Sequence, residues 1–300
     1  MNKEVELQWS YGKDVTESGM ENMTSIKCIA LDLDRTTLND KGRLSEGNRR
    51  ALQQAIEKGI HIIVASGRAF DTLPADIVEL SGIEYAVTGN GAAMYHVPSG
   101  ECLHRYLLRE EDVLAVMRAT LEEPVTYEAF INGVAYAGRE YIEDPLAYGA
   151  TPQAVEYVRT TRHLVEDVRG FIAEHKAQLD GMDIIVAEEE KKNKIWKRVE
   201  ECTKEVYITS SVQQLIEISH RNAGKHSGVK FFMERLGLKR EEIAAFGDAD
   251  NDVDMLRFVG CGIAMENASE KCKAAADYVT KHHAQDGVAY GLREILKVIG

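Results

Sequence analysis

Two acidic clusters about 215 residues apart, each directly after a short apolar run, constrain the fold of this chain more than any other feature. The first run, 26–31, ends at Asp32 and Asp34, and the second, 243–246, ends at the acidic segment 247–252. An open α/β sheet binds its ligands beyond the carboxyl ends of its strands. Clustered carboxylates repel one another unless a proton or cation lies among them, and Mg²⁺ is a natural neutraliser. The sequence therefore predicts a metal-dependent enzyme whose fold brings the two clusters together.

Charge and composition restrict the partners that the chain can have. Its 300 residues carry a formal net charge of −13, with 28% charged and 44% hydrophobic residues. These fractions are typical of a globular protein. Because a basic footprint is missing, we expect neither nucleic acid nor membrane as a partner. Attraction for an anionic substrate must then be local, from a metal and a few cationic side chains.

The cysteines and the N-terminal residues favour the cytoplasm. Five scattered cysteines without a C-x-x-C pair favour reduced thiols over disulfides or a zinc site. Cys28 and Cys261 are expected in the core. No apolar run approaches the ~18–20 residues of a membrane span. Residues 1–24 form a polar N-terminal extension that lacks the apolar segment of a signal peptide, so nothing in them indicates export.

The order of predicted elements indicates a parallel sheet near the N-terminus. Apolar runs and helical patterns alternate there, with strands at 26–31, 60–65 and 84–88 and helices at 45–58 and 70–80. Ser45 is the expected N-cap of the first helix, and Gly59 is expected to end it. This β-α-β-α-β order is typical of parallel strands joined by right-handed crossovers.

The middle of the chain has a different pattern. Short strand candidates mix with helices there, and two strands meet at Asn132-Gly133, a hairpin signal that implies antiparallel pairing. The parallel pattern then returns, with strands near 242–246, 261–264 and 277–280 and helices at 226–236 and 288–298. The predicted fold class is α/β, a doubly wound Rossmann-like parallel sheet core with an inserted α+β cap domain. The core comprises 25–90 and 216–300, and the cap comprises 91–215.

Asp32 and Asp34 lie two residues apart at the tip of the first predicted strand. In strand geometry both side chains lean to the same side, about 6–7 Å apart along the backbone. One carboxylate can then attack a phosphorus atom, while the other protonates the leaving group and later deprotonates a water. The alternative is a solvated turn with two acids, in which Thr36 and Thr37 cap the turn.

Two further strand tips carry polar residues. Ser66 and Gly67 follow the second strand at a helix start, a place suited to an anion, although most Ser-Gly turns are structural. Lys225 lies between a strand candidate and a helix, where a lone lysine is by default a surface residue. All four polar segments follow strand candidates, and this shared placement favours one common site.

The segment 247–252 holds the densest set of acids. A calcium loop fails, because Val253 and Val259 occupy the positions of its sharp-turn glycine and bidentate glutamate. An acidic helix N-cap is the alternative, and it is compatible with metal binding. Asn90-Gly91 lacks the third glycine of a nucleotide-binding loop and is predicted as a turn.

Together, these segments resemble the four motifs of the haloacid dehalogenase-like hydrolases. The resemblance rests on Asp32-x-Asp34-x-Thr36, Ser66-Gly67-Arg68, Lys225 and Gly247-Asp248-x-x-Asn251-Asp252. The long insertion between the second and third motifs is similar to the C2-type cap of the Cof-type subfamily. The segments 90–92, 263–268 and 286–289 also resemble that subfamily, and the resemblance extends from about residue 26 to 296.

The resemblance implies a role for each motif residue. Asp32 would be the nucleophile and Asp34 the general acid/base. Mg²⁺ would be held by Asp32, the backbone carbonyl of Asp34 and Asp248, with Asp252 close behind. The phosphoryl oxygens would be bound by Ser66, Lys225 and Asn251 and by amides near Leu33 and Gly67. Mg²⁺ and Lys225 would offset the repulsion between a carboxylate nucleophile and a phosphate dianion.

Two residues depart from the family pattern. Arg35 stands at the usual glycine between Asp34 and Thr36, where its side chain either binds a second anionic group of the substrate or points to solvent. His226 stands at the usual glycine after Lys225 and is expected to start a helix. Neither departure removes a catalytic group.

The predicted function is a Mg²⁺-dependent phosphoric monoester hydrolase, acting on a small phosphorylated metabolite, with sugar phosphates the leading class. Water would resolve an aspartyl-phosphate, and the cap would close over the substrate and set specificity. The expected oligomeric state is a monomer or homodimer. A sugar phosphomutase is the nearest alternative, and a phosphate-binding sensor without turnover is an alternative of another class.

Overall fold

The structure, a computed structural model, describes residues 25–300, which form two β-sheets and the helices around them. The predicted N-terminal extension, residues 1–24, lies outside the described residues. The strands in chain order are β1 (Cys28–Leu31), β2 (His61–Ala65), β3 (Ile83–Thr88), β4 (Ala93–His96), β5 (Glu101–Arg105), β6 (Thr126–Ile131), β7 (Val134–Gly138), β8 (His163–Val165), β9 (Leu179–Ile185), β10 (Val206–Thr209), β11 (Leu215–His220), β12 (Ile243–Gly247), β13 (Cys261–Ala264) and β14 (Tyr278–Val279).

The larger sheet has the strand order β14-β13-β12-β1-β2-β3-β4-β5. β1 lies in its interior and pairs in parallel with both β2 and β12, so strands from the early and the late parts of the described chain meet here. The strands from β14 to β3 are parallel, whereas β4 and β5 add an antiparallel hairpin. The predicted doubly wound parallel core is confirmed, with this hairpin as an addition at one edge.

Helices cover both sheets. In chain order they are α1 (Glu46–Glu57), α2 (Ala75–Val78), α3 (Glu110–Ala119), α4 (Arg139–Glu143), α5 (Ala154–Thr161), α6 (Val168–Glu174), α7 (Glu189–Cys202), α8 (Lys225–Arg235), α9 (Val253–Phe258), α10 (Glu270–Ala275) and α11 (Gly287–Tyr290). The predicted N-cap of α1 is confirmed, since Ser45 Oγ accepts a hydrogen bond from the amide of Asn48 at 3.2 Å. Gly59 follows this helix with φ +80°, as its predicted C-terminal role requires.

Two predicted helices are shorter or interrupted. In place of one helix over 70–80, a 3-10 turn at Phe70–Thr72 precedes α2. Pro74 explains the break, because proline disfavours a helical conformation of the residue before it, and Leu73 is accordingly extended. The predicted last helix, 288–298, is α11 followed by a π-helical turn over Gly291–Ile295.

The smaller sheet belongs to the cap and has the order β10-β11-β9-β6-β7-β8. Its strands are antiparallel except for the pair β7 and β8. The predicted hairpin is confirmed between β6 and β7, where Asn132 and Gly133 both have positive φ, +54° and +75°. One face of the sheet packs on α3, α6 and α7 around a core that includes Tyr127, Met182 and Ile216.

The limits of the two sheets differ from the predicted domain boundaries at 91 and 215. β4 and β5 were assigned to the cap, but they pair with β3 in the larger sheet. β11 was assigned to the core, but it pairs with β9 and β10 in the cap sheet. The error has a physical cause: both segments are antiparallel strands of ordinary composition, and pairing partners rather than composition decide their sheet.

Two other sequence expectations concern cysteines and membranes. Cys28 and Cys261 are free and buried, which confirms their predicted place in the core. Among residues 25–300, no helix combines the length and the apolar character needed to cross a membrane.

Candidate active site

Three adjacent parallel strands, β2, β1 and β12, end at the same edge of the larger sheet, and predicted site residues follow each of them. Leu31 of β1 pairs with Val64 of β2 and with Phe246 of β12. The strands therefore end level with one another, and the next residues of each strand meet beyond their carboxyl ends. Asp32, Ser66 and Asp248 occupy these positions, and all three are buried.

Three buried carboxylates, which we call the core acid group, converge at this edge. Asp32, Asp248 and Asp252 each offer one carboxylate oxygen within 4.8 Å of the others. Asp252 starts α9 one turn after Asp248, so a single turn of chain places both acids beside Asp32. Such a set of hard oxygen donors fits a divalent cation such as Mg²⁺.

Lys225 is the cation already present in this group. Its Nζ lies 2.6 Å from Asp32 Oδ1 and 2.6 Å from Asp252 Oδ1, and its side chain is fully buried. Burial alone would lower the pKa of Lys225, but Asp252 and Asp32 outweigh it and raise that pKa above its usual value. Contrary to the default expectation for a lone lysine, Lys225 is buried, and its ammonium lies between two carboxylates.

A close backbone contact holds Lys225 in place. Gly224, with φ +117°, precedes α8. Gly91, with φ +91°, packs so tightly on Gly224 that a Cβ at Gly91 would lie 2.1 Å from the carbonyl oxygen of Gly224. The predicted Asn90-Gly91 turn is present, and only glycine at position 91 allows this approach.

Burial and mutual repulsion disfavour ionisation of two members of the core acid group. Burial raises the pKa of Asp32 well above its usual value, and the Asp252 carboxylate raises it further, with Lys225 acting in the opposite direction. Burial and the Asp252 carboxylate also raise the pKa of Asp248 to about 7. A second cation would relieve this repulsion, which is consistent with a metal site.

Asp252 has its hydrogen-bonding capacity occupied by the protein. Its Oδ2 accepts the backbone amides of Asp248 (2.9 Å) and Ala249 (3.0 Å), and its Oδ1 accepts Lys225. Gly247 makes room for it, because a Cβ there would lie 2.5 Å from the Asp252 side chain. Asp252 thus lies at the acidic helix start that the sequence predicts, and its carboxylate fixes the backbone of Asp248.

Asp34 points away from the core acid group. Its side chain is 54% exposed, and Arg68 donates to both of its carboxylate oxygens, at 2.7 and 2.8 Å. Arg68 also donates to the Thr72 carbonyl and lies 4.2 Å from the ring centre of Tyr157 in the cap. The sequence alone predicts no contact for Arg68, although this residue directly follows Ser66-Gly67.

The turn after β1 supports Asp248. Thr36 Oγ1 donates to Asp248 Oδ1 at 3.0 Å. Asn267 Nδ2 donates to the carbonyl of Arg35 at 2.9 Å and lies 3.4 Å from Asp248 Oδ2. Arg35 has φ +59°, which explains why glycine suits this position, and its side chain is exposed. Asn267 lies in the segment 263–268, which resembles the Cof-type subfamily, but the sequence alone predicts no contact for it.

The predicted phosphate-binding residues lie around the core acid group and differ in their hydrogen-bond partners. Ser66 is 1% exposed, and its Oγ accepts the amide of Arg68 at 3.2 Å. Leu33 is fully buried, so only its backbone can face a ligand. Asn251 donates its side-chain amide to Asn90 Oδ1 at 2.9 Å. No contact of the described residues tests the assignment of these groups to phosphate, which stays a prediction.

The cap lies directly over this edge of the sheet. Asn90 Nδ2 donates to Glu217 Oε1 of β11 at 3.0 Å, and the backbone amide of Asp71 donates to the carbonyl of Gly133 at 3.0 Å. Between core and cap lies a narrow cleft, part of it open to solvent, lined by Gly67, Asn90, Phe130, Asp183, Glu217 and Ser219 among others. A substrate bound to the strand tips would therefore meet the cap sheet.

Comparison with known proteins agrees with the geometry of fold and site. A family model described as haloacid dehalogenase-like hydrolase matches residues 29–292. The chain belongs to this family, in its Cof-type branch, and is a phosphoric monoester hydrolase.

Relatives named as phosphatases extend over nearly the whole described chain. Phosphatase YwpJ of Bacillus subtilis is 32% identical over 288 residues, covering 90% of this chain and 100% of YwpJ. 5-amino-6-(5-phospho-D-ribitylamino)uracil phosphatase YcsE of the same organism is 26% identical, covering 89% of this chain and 95% of YcsE. A solved haloacid dehalogenase-like hydrolase from B. subtilis superposes with a TM-score of 0.79 at 30% identity, covering 90% of this chain and 100% of that one.

Proposed function

We propose that the protein is a Mg²⁺-dependent phosphatase that hydrolyses small phosphomonoesters, with sugar phosphates as the leading class, through an aspartyl-phosphate on Asp32. One observation carries the proposal. Asp32, Asp248 and Asp252 lie within reach of a single ion, and Lys225 Nζ lies 2.6 Å from Asp32 Oδ1. Two positive charges beside a carboxylate nucleophile are what attack on a phosphate dianion requires.

The residues of the core acid group fit Mg²⁺. We assign Asp32, the backbone carbonyl of Asp34 and Asp248 as its protein ligands, with Asp252 orienting them from behind. Asp32 Oδ2 accepts no hydrogen bond from the described residues, and Asp248 Oδ2 has only the 3.4 Å contact with Asn267. Bound Mg²⁺ would neutralise charge on the transferring phosphoryl group and orient it.

In the first half-reaction, a carboxylate oxygen of Asp32 attacks phosphorus and forms the Asp32–phosphorus bond. The bond from phosphorus to the ester oxygen breaks, and Asp34 donates a proton to the departing alcohol. Lys225 and Ser66, with Asn251 and the amides near Leu33 and Gly67, bind the phosphoryl oxygens. Arg68 donates to both oxygens of Asp34 and so orients this carboxylate; one of the two contacts must open when Asp34 carries the proton.

In the second half-reaction, Asp34 removes a proton from a water molecule in the space that the alcohol has left. The water oxygen bonds to phosphorus, the Asp32–phosphorus bond breaks, and inorganic phosphate leaves with Asp32 restored. The cap excludes bulk water from the first step, since its sheet covers the strand tips. The names of the relatives, phosphatases that include one for a phosphoribityl compound, support a small soluble substrate.

The test measures phosphate release from a panel of sugar phosphates and from p-nitrophenyl phosphate, with Mg²⁺ and with chelator. We expect release that requires Mg²⁺ and is lost in Asp32→Asn. Asp40→Asn is the control, because Asp40 lies in the same domain as Asp32 but its carboxylate is exposed.

Absence of release from folded wild-type protein with Mg²⁺ would contradict the proposal. Isomerised sugar phosphate without free phosphate would identify a mutase instead. Mg²⁺-dependent binding without either product would identify a sensor. The scattered free cysteines support action in a reducing compartment such as the cytoplasm.

A further inference from the structure

Three carboxylates, which we call the cap acid row, lie side by side across the middle of the cap sheet. Glu217 of β11 pairs with Asp183 of β9, and Asp183 pairs with Glu128 of β6. Directly paired residues point to the same face of a sheet. The neighbouring positions, such as Met182 and Ile216, point to the opposite face and pack on the cap helices. The cap acid row therefore lies on the face turned toward the core.

The two ends of the cap acid row have partners within the protein. Arg162 donates to both oxygens of Glu128, at 2.6 and 3.0 Å. Glu217 accepts hydrogen bonds from Asn90 at 3.0 Å and from the hydroxyl of Ser211 at 3.0 Å. The three carboxylates thus have a single guanidinium among them, that of Arg162, and it is hydrogen-bonded to Glu128.

Asp183, at the centre, has no such partner. Its side chain makes no hydrogen bond or ion pair with any of residues 25–300, although the residue is only 6% exposed. Burial raises its pKa well above the usual value, and the Glu217 and Glu128 carboxylates raise it further. Buried carboxylates are normally hydrogen-bonded, because leaving one unpaired costs free energy. A ligand that donates hydrogen bonds would satisfy Asp183.

The position of Asp183 in the cleft indicates which part of a bound ligand would contact its carboxylate. Asp183 and Glu217 line the cleft opposite Gly67, the residue after Ser66. A Cβ on Gly67 would lie 3.1 Å from Glu217 Oε1, so the cap acid row closely approaches the phosphate-binding segment. A phosphoryl group at the strand tips would direct its ester oxygen and carbon chain toward the cap.

A metal ion is the less suitable occupant of the cap acid row. Among the described residues, only the core acid group brings three carboxylate, imidazole or thiolate ligands within 4.8 Å of one another. The cap acid row is spread across three strands, and two of its members are already hydrogen-bonded. The arrangement suits a ligand with donors distributed along a chain.

We propose that the cap acid row, acting through Asp183, binds hydroxyl or amino groups on the leaving group and thereby selects phosphate esters of polyols and amino-substituted polyols. This inference rests on the proposed phosphatase function and specifies its substrate class. Asp183 is a specificity-determining residue, and Glu128 and Glu217 lie on either side of it with hydrogen-bond partners of their own.

The test compares two esters of equal chain length, erythritol 4-phosphate and n-butyl phosphate, which differ in the three hydroxyls of the former. We expect wild type to prefer erythritol 4-phosphate, and Asp183→Ala to reduce that preference in kcat/KM by about 10- to 100-fold. Asp183→Asn, which keeps one acceptor oxygen, should retain an intermediate preference. An unchanged preference in folded Asp183→Ala, or an equal loss for both esters, would overturn the proposal.

Asp112→Asn is the matched control. Asp112 is a cap carboxylate that is 3% exposed, but Arg109 and Thr203 satisfy it away from the cleft. We expect Asp112→Asn to lower the apparent Tm and leave the preference unchanged. Asp183→Asn should leave the Tm at or above that of wild type, since it removes repulsion without removing a bond. A lower Tm in Asp183→Asn with unchanged preference would indicate a structural role only.

A binding measurement separates this inference from the proposed function. In the Asp32→Asn background, the Tm shift produced by each ester reports binding without turnover. We expect a larger shift with erythritol 4-phosphate than with n-butyl phosphate, and loss of that difference when Asp183→Ala is added. If wild type releases no phosphate but this difference is present, the phosphatase proposal fails and the recognition proposal stands. Equal shifts with Asp183 intact would overturn the recognition proposal itself.

Discussion

The core acid group and the cap acid row contain the same ingredients in different arrangements. Each brings together three buried carboxylates and one buried cation, Lys225 in the core and Arg162 in the cap. In the core, Asp32 follows β1, whereas Asp248 and Asp252 follow the distant strand β12. In the cap, the acids are direct neighbours across paired strands. The core acids therefore converge on a point, whereas the cap acids form a line.

Lys225 and Arg162 also differ in which carboxylate oxygens they leave without a hydrogen bond. Lys225 bridges two acids through one nitrogen, so Asp32 keeps a free oxygen for chemistry. Arg162 donates from Nε and Nη2 to Glu128 and from Nη1 to Thr161, so none of its hydrogen bonds reaches Asp183. A point charge shared between acids suits a site for an ion and a phosphoryl group. A line of acceptors with one unsatisfied member suits the recognition of several donors.

Removal of Lys225 should have the largest effect and would test the role of the core cation. Lys225→Met leaves two buried carboxylates unpaired, so we expect a loss of about 3–5 kcal/mol in the free energy of unfolding. The kcat should fall by at least about 10²–10³-fold, because a charge next to the phosphoryl oxygens is lost. Denaturant unfolding and steady-state kinetics measure the two effects. Lys271→Met is the control, since that exposed lysine pairs with Asp250 at the surface; similar losses in both variants would contradict the role of Lys225.

Removal of Arg162 should destabilise the cap by a similar amount but spare the chemistry. Arg162→Met leaves Glu128 buried and unpaired, at a cost of about 3–5 kcal/mol. Since no core carboxylate loses its partner, the kcat for p-nitrophenyl phosphate should stay within about threefold at temperatures where the variant is folded. Arg139→Met, which breaks an exposed cap ion pair with Glu166, should cost less than about 1 kcal/mol. If Arg162→Met lost as much kcat as Lys225→Met, the cap acid row and the core acid group would not differ in their role in the chemistry.

Stability of the metal-free protein should depend on pH through Asp248. Its pKa is raised from 3.8 to about 7 in the folded state. Proton binding at Asp248 therefore stabilises the fold below pH 4, and this contribution is lost as pH rises toward 7. The slope for one proton is at most about 1.4 kcal/mol per pH unit. Unfolding of wild type and Asp248→Asn, measured in chelator from pH 4.5 to 7.5, should show the steeper decline in wild type; parallel curves would contradict it.

The smallest predicted effect is that of replacing Asn90, whose side chain is hydrogen-bonded to both the core and the cap. Asn90 accepts from Asn251 of the core and donates to Glu217 of the cap. Asn90→Gly tolerates the positive φ of this position and removes only the bridge, so we expect a loss of about 1–2 kcal/mol. The kcat/KM should fall by roughly tenfold, because the cap is held less firmly over the site. Lys297→Gly, at an exposed position with φ +53°, is the control for backbone effects; equal effects in both variants would show that the bridge is unimportant.

The core acid group could be predicted from sequence more fully than the cap acid row. The acids of the core follow apolar runs, and parallel strands bring their carboxyl ends together whatever their exact register. The cap acid row depends on which residue of β9 faces which residue of β6 and β11, and a shift of one residue would turn Asp183 to the opposite face. The same lack of pairing information misplaced β4, β5 and β11. Arg68 was missed because its partner, Asp34, is 34 residues away.

The position of β1 between β2 and β12 has a consequence for synthesis. At about 5–20 residues per second, a ribosome needs roughly 10–40 s to add the stretch of chain from β1 to β12. During that interval β2 to β5 can pair on one side of β1, while its other edge has no native neighbour. An apolar strand with a bare edge can pair with another nascent chain. The strand that lies inside the finished sheet is thus an exposed edge for most of translation, and chaperone demand should be greatest before residue 243 emerges.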